Sequence, residues 1–182
     1  MSGIVIFAHG SGSNGASPRN QHVAAILRET GLETLLPDLV SDDEGDQRFN
    51  IELLATRLVA IIDEIAADPA TARLRIGLFG ASTGAAAALI AAVRRPDNVR
   101  AVVSRGGRPD LAANALPLVD APTLLIVGGR DHTVVELNRR AFDQLRCDKD
   151  LHIVPGATHL FEEPGALDKV AALASDWFTT YL

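Results

Sequence analysis

A chain of 182 residues, 47% hydrophobic and 22% charged, is long enough to close a substantial core, since a domain of this size buries roughly 70% of the surface its unfolded chain exposes. A formal charge of −6 argues against a basic surface for nucleic-acid phosphates, so no nucleic-acid partner is expected. No apolar run approaches the roughly 20 residues that span a bilayer, the apolar start Ile4 to Ala8 lacks the basic flank of a secretion signal, and the single cysteine, Cys147, fits a reducing compartment: the expectation is one domain over residues 1–182, cytoplasmic and free of the membrane.

The first apolar run, Ile4–Ala8, reads as a strand and leads into His9-Gly10-Ser11-Gly12-Ser13-Asn14. Ser17-Pro18 then reads as an N-cap followed by an N1 proline, opening a helix through Leu27 and Arg28 that Gly31 ends. Thr34–Leu36 is a short strand, and Ser41 to Asp46, "SDDEGD", reads as a mobile acidic loop. Asn50 can cap a helix whose apolar stripe is Ile51, Leu54, Leu58, Ile61, Ile62 and Ile65. Strand Arg75–Phe79 precedes Thr83–Val93, which is apolar nearly all round and so suits a buried helix. Strands at Ala101–Ser104, Thr123–Val127 and His152–Val154 follow, and Cys147 falls near a helix end, where packing is its expected use. Leu167, Val170, Ala171, Ala174, Trp177 and Phe178 form the stripe of a last helix docked on the sheet. Continuous apolar strands alternating with helical patterns predict an α/β fold with a buried, mainly parallel sheet and helices on both faces.

The strongest chemical signal is Gly80-Ala81-Ser82-Thr83-Gly84, where a buried strand turns directly into a helix. In that context G-x-S-x-G forces its central residue into strained backbone and pushes Ser82 out at the carboxyl edge of the sheet. Thr83, at the start of the helix, brings a backbone N–H to where an oxyanion would form. A rival reading takes Gly77, Gly80 and Gly84 as a dinucleotide-binding turn. Those glycines would then follow the first strand, with an acid ending the next one; here the next strand ends in Ser104-Arg105.

A serine nucleophile needs a base and an acid to orient it, in the chain order serine, acid, histidine. Asp131 falls just past the strand in "TLLIVGG", and His159 lies in the loop "PGATHLF" after the following strand, so both reach the same sheet edge as Ser82. His132 adjoins Asp131 and is expected to point away, His152 lies within a strand, and His22 sits on the first helix. The loop after the first strand can supply a second oxyanion donor, for which the Ser11 N–H is the candidate. Arg105 and Arg108, in "SRGGRPD", are candidates for a carboxylate or phosphate on a substrate, with salt bridges to nearby Asp residues as the competing use.

Taken together, "HGSGS", "GASTG", "GGRD" and "GATHLFEEPGAL" resemble the α/β-hydrolase superfamily, and within it the small dienelactone hydrolase-like members, some of them fused to phosphoribosyltransferases. The resemblance covers nearly the whole chain. It implies six strands in the order 2-1-3-4-5-6, no cap domain, and a Ser82, Asp131, His159 triad working without metal or organic cofactor. Dienelactone hydrolase itself has a cysteine where Ser82 stands, so its lactone substrate does not carry over; a small-molecule ester or thioester is the expectation. The alternatives are a non-catalytic module of the same fold that binds a small molecule or a protein, and a nucleotide- or flavin-binding doubly wound domain.

Overall fold

The computed structural model describes residues 3–182. Six strands, β1 (Gly3–Ala8), β2 (Glu33–Leu35), β3 (Arg75–Ala81), β4 (Val99–Arg105), β5 (Thr123–Gly128) and β6 (Lys149–Val154), form one sheet in the order β2-β1-β3-β4-β5-β6. Every neighbouring pair is parallel, so all the carboxyl ends lie along one edge. This is the α/β fold that the resemblance implied. Among the described residues four α-helices each lie between two strands, α1 (Pro18–Glu29), α2 (Ile51–Ala67), α3 (Thr83–Arg94) and α4 (His132–Gln144), and a fifth, α5 (Ala166–Tyr181), follows β6.

Alternation along the strands splits the core in two. Ile4, Ile6, Leu78, Val102 and Leu125 face α2, α3 and α4, whereas Val5, Phe7, Phe79, Val103 and Ile126 face α1 and α5. Phe7 and Phe79 meet with ring centroids 4.8 Å apart, and Phe178 of α5 is fully buried against the same layer. Burying a side chain of this kind contributes about 1.5–3 kcal/mol, so the alternating pattern is what commits each helix to its face.

The caps form where their residue types place them. The Ser17 hydroxyl accepts the Asn20 N–H at 3.4 Å, and the Asn50 side-chain Oδ1 accepts the Leu53 N–H at 3.1 Å. The expected mobile acidic loop is instead a turn of 3₁₀ helix, Asp42–Phe49. Glu44 organises it, accepting the N–H and hydroxyl of Ser41 and a two-pronged bond from Arg57 of α2 at 2.6 and 2.7 Å.

Gly3 and Leu182 lie side by side at the amino edge: a Cβ built on Gly3 would lie 2.7 Å from that of Leu182. At the opposite edge, β1 sends the chain outward to β2 while β3 sends it the other way to β4, making a switch point between β1 and β3 where a crevice opens. No described helix is long and apolar enough to cross a membrane.

Candidate active site

Ser82 stands between β3 and α3 with φ 52° and ψ −123°, a backbone conformation that costs a non-glycine residue about 1–3 kcal/mol. Its surroundings hold it there. The Ser82 N–H donates to the Arg105 carbonyl at 3.2 Å, and the Ser82 carbonyl accepts the Arg108 N–H at 3.0 Å, so the loop after β4 clamps the elbow from two sides. Gly84 allows α3 to lie against β1: an added Cβ would stand 2.1 Å from the Ala8 carbonyl oxygen and 2.6 Å from that of His9. Cβ atoms added at Gly80 and Gly77 would meet Ala85 Cα at 2.4 Å and the Phe178 ring at 2.6 Å. The three glycines of the dinucleotide reading thus make room for the chain's own atoms rather than for a pyrophosphate.

Asp131 and His159 come together from successive strand ends. His159 Nδ1 lies 2.6 Å from Asp131 Oδ2, leaving Nε2 as the outward-facing ring nitrogen. The loop bearing His159 is anchored by Phe161, fully buried and at φ 56° two residues further on. Ser82 and His159 line one cavity of about 370 Å³, together with Ser13, Arg19, Arg105 and Leu160. Larger grooves of about 490 and 580 Å³ lie at Arg73, Arg75 and Arg100 and at Asp38 and Arg57, and neither holds a serine beside a histidine.

The front loop reaches this cavity as well. Buried His9 accepts the Leu39 N–H on Nε2 at 2.9 Å, fixing the loop to the segment after β2. The Ser11 N–H, the candidate oxyanion donor, donates to the Thr83 hydroxyl at 2.9 Å and so ties the loop to the start of α3. Thr83 is the first residue of α3, where helical N–H groups have no partner within the helix.

The two candidate arginines part company. Arg108 is half-exposed and forks onto Asp110, two residues on, at 2.9 and 2.8 Å, and it does not line the cavity that Arg105 lines. Arg105 is buried, and burial, with the Arg19 charge beside it, pulls its guanidinium down to about 10. Arg19 was not singled out from sequence, although its place directly after Ser17-Pro18 puts it on the first helical turn at the carboxyl edge. His22 bonds to Asp168 at 2.6 Å on the surface, His132 is exposed, and His152 lies within β6. Among the described residues no group of three histidine, cysteine or acidic side chains could hold a metal ion.

The model of the dienelactone hydrolase family matches residues 1–181. The chain belongs to the dienelactone hydrolase family. A dienelactone hydrolase from Anabaena variabilis is 57% identical and superposes with a TM-score of 0.97, covering 100% of this chain and 87% of that one. Est1E from Butyrivibrio proteoclasticus superposes at 0.84 over 98% of this chain and 88% of its own, with 16% identity, which speaks to the fold alone. A Mycobacterium tuberculosis protein named "Putative phosphoribosyl transferase" is 58% identical over 183 residues, covering 99% of this chain. This dienelactone hydrolase family member spans 41% of that relative's length.

Proposed function

We propose that the protein is a serine hydrolase that cleaves small carboxylic esters or thioesters through an acyl-enzyme on Ser82. The observation that carries this reading is the 2.6 Å bond between His159 and Asp131 on the rim of the cavity into which the Ser82 elbow projects. A serine hydroxyl is a weak nucleophile until its proton has somewhere to go. His159 Nε2 takes that proton as Oγ attacks the ester carbonyl carbon, and Asp131, on Nδ1, fixes the tautomer and stabilises the imidazolium. The oxyanion is held by the Thr83 N–H and by a front-loop N–H; Ser11 serves if it turns from the Thr83 hydroxyl towards the substrate. The imidazolium protonates the leaving alcohol or thiol, and water, activated by the same imidazole, releases the acid and restores Ser82. No step calls for a metal or organic cofactor.

The test is labelling with a fluorophosphonate followed by peptide mapping. The label is expected on Ser82, and Ser82→Ala is expected to lose both labelling and turnover of short p-nitrophenyl esters while staying folded. Labelling at another residue, or full turnover by Ser82→Ala, overturns the reading.

A further inference from the structure

Two guanidinium groups, those of Arg19 and Arg105, share the cavity with Ser82 and His159. Arg105, 7% exposed at the end of β4, finds a single side-chain acceptor, Asn20 Oδ1 at 3.3 Å, and its Nε is buried with no hydrogen-bond partner. Arg19, on the first turn of α1, also has a buried Nε without a partner. Among the described residues no carboxylate lies within ion-pair distance of either group. The other arginines of this acidic chain either take a carboxylate, as Arg57, Arg94, Arg95 and Arg108 do, or lie exposed to solvent. Of the acids in the adjoining groove, Glu163 accepts from Thr158 and Asp168 is bonded to His22, while Glu162 is exposed and makes no ion pair with Arg19.

A buried cation without a partner is expensive, and a second cation beside it makes it more so. A fold keeps such a pair where something else supplies the negative charge, and the pair opens into the cavity that holds the nucleophile. We propose that the substrate carries a phosphate monoester, whose dianion is held between Arg19 and Arg105 while Ser82 attacks an ester carbonyl elsewhere in the same molecule. The phosphate is a handle and is not cleaved. A carboxylate is the poorer match: one planar guanidinium fork satisfies both its oxygens and its single charge, leaving the other arginine uncompensated. A phosphate monoester brings about −1.5 to −2 charges and three oxygens, enough for two forks arriving from different elements.

The proposal rests on the esterase reading for its chemistry, but its binding half can be measured alone. The experiment titrates inorganic phosphate, and acetate in parallel, into wild-type protein and into Ser82→Ala, Arg19→Gln, Arg105→Gln and Arg108→Gln by calorimetry. Phosphate is expected to bind wild type and Ser82→Ala alike, at one site, more tightly than acetate. Kd is expected to rise about tenfold or more in Arg19→Gln and Arg105→Gln, since each removes a charge-assisted contact, and to stay unchanged in Arg108→Gln. Arg19→Gln, on a helix surface, keeps the test alive if Arg105→Gln does not fold. Absence of saturable phosphate binding, binding indifferent to Arg19, or acetate binding as tight as phosphate overturns the proposal, whatever Ser82→Ala does to ester turnover. Ester turnover retained by Ser82→Ala overturns the nucleophile instead, and leaves the phosphate titration to be read by itself.

Discussion

Asp131 occupies the N-cap position of α4, yet its carboxylate goes to His159 rather than to the N–H groups of its own helix. Its loss should therefore be felt in catalysis and hardly in folding. Asp131→Asn is expected to lower kcat by roughly 10⁴-fold, because an amide can stabilise the wrong imidazole tautomer, and to leave the melting temperature close to wild type. Steady-state kinetics beside a thermal melt measure both. Asp143→Asn, on the exposed side of α4, is the control and should match wild type; a near-normal kcat for Asp131→Asn removes Asp131 from the mechanism.

Gly84→Ala should destabilise the fold by about 1–3 kcal/mol or more, because the new methyl would stand 2.1 Å from backbone that cannot move without shifting β1. For a chain of this length each kcal/mol corresponds to roughly 2–4 °C in Tm. Gly12→Ala, with nothing within 4 Å of its added Cβ, should melt with wild type. Equal melting temperatures for the two variants would contradict the packing of α3 on β1.

Arg108→Ala should be nearly silent. Its fork onto Asp110 is half-exposed, and exposed pairs of this kind contribute about 0–1 kcal/mol. Turnover of neutral esters should be unchanged, and a marked rise in KM would place Arg108 in the cavity after all.

The Glu44–Arg57 tether should be lost in acid. The Arg57 guanidinium, then the Ser41 N–H and hydroxyl, hold the Glu44 carboxyl down from its ordinary 4.5 to about 2. A carboxyl whose pKa is lower in the folded state stabilises above its unfolded value and loses that contribution as pH falls through the folded one. The gap in Tm between wild type and Glu44→Gln should thus be constant above pH about 4.5 and close as pH approaches 2. A gap that widens in acid contradicts the pairing.

Thiol reagents should spare the activity. Cys147 sits beside Thr123 at the start of β5, on the edge away from Ser82, and burial pushes its thiol up, which slows alkylation at neutral pH. Full ester turnover after treatment with iodoacetamide is the expected result; inactivation that Cys147→Ser abolishes would contradict the placement of this thiol away from the site.

Much of this architecture was legible because the residues that build it act over short distances. Ser17-Pro18 and Asn50 cap the helices that follow them, and apolar runs such as "TLLIV" become strands buried on both faces. Gly80 and Gly84 announce a strand-to-helix turn. The acidic stretch at Ser41 was misread because net charge hid a Ser-x-x-Glu spacing whose glutamate is held by Arg57, thirteen residues away. For Arg108 the sequence offered a salt bridge to a nearby Asp beside a substrate anion, and the carboxylate two residues on takes the fork. Arg19 and Arg105 are 86 positions apart in the chain, and only the closing of α1 over the carboxyl end of β4 makes them neighbours.

The proximity of Gly3 and Leu182 brings the first and last described residues together at the amino edge. A short linker could join Gly3 to Leu182 and a new opening could be cut at the exposed turn near Asp68, giving a permutant of residues 3–182 with every strand in place. The same proximity suits the protein to fusion. A polypeptide tethered at residue 3 or at residue 182 leaves from the amino edge, roughly 20 Å of strand away from the reactive serine, so cargo on either side need not block the mouth of the cavity.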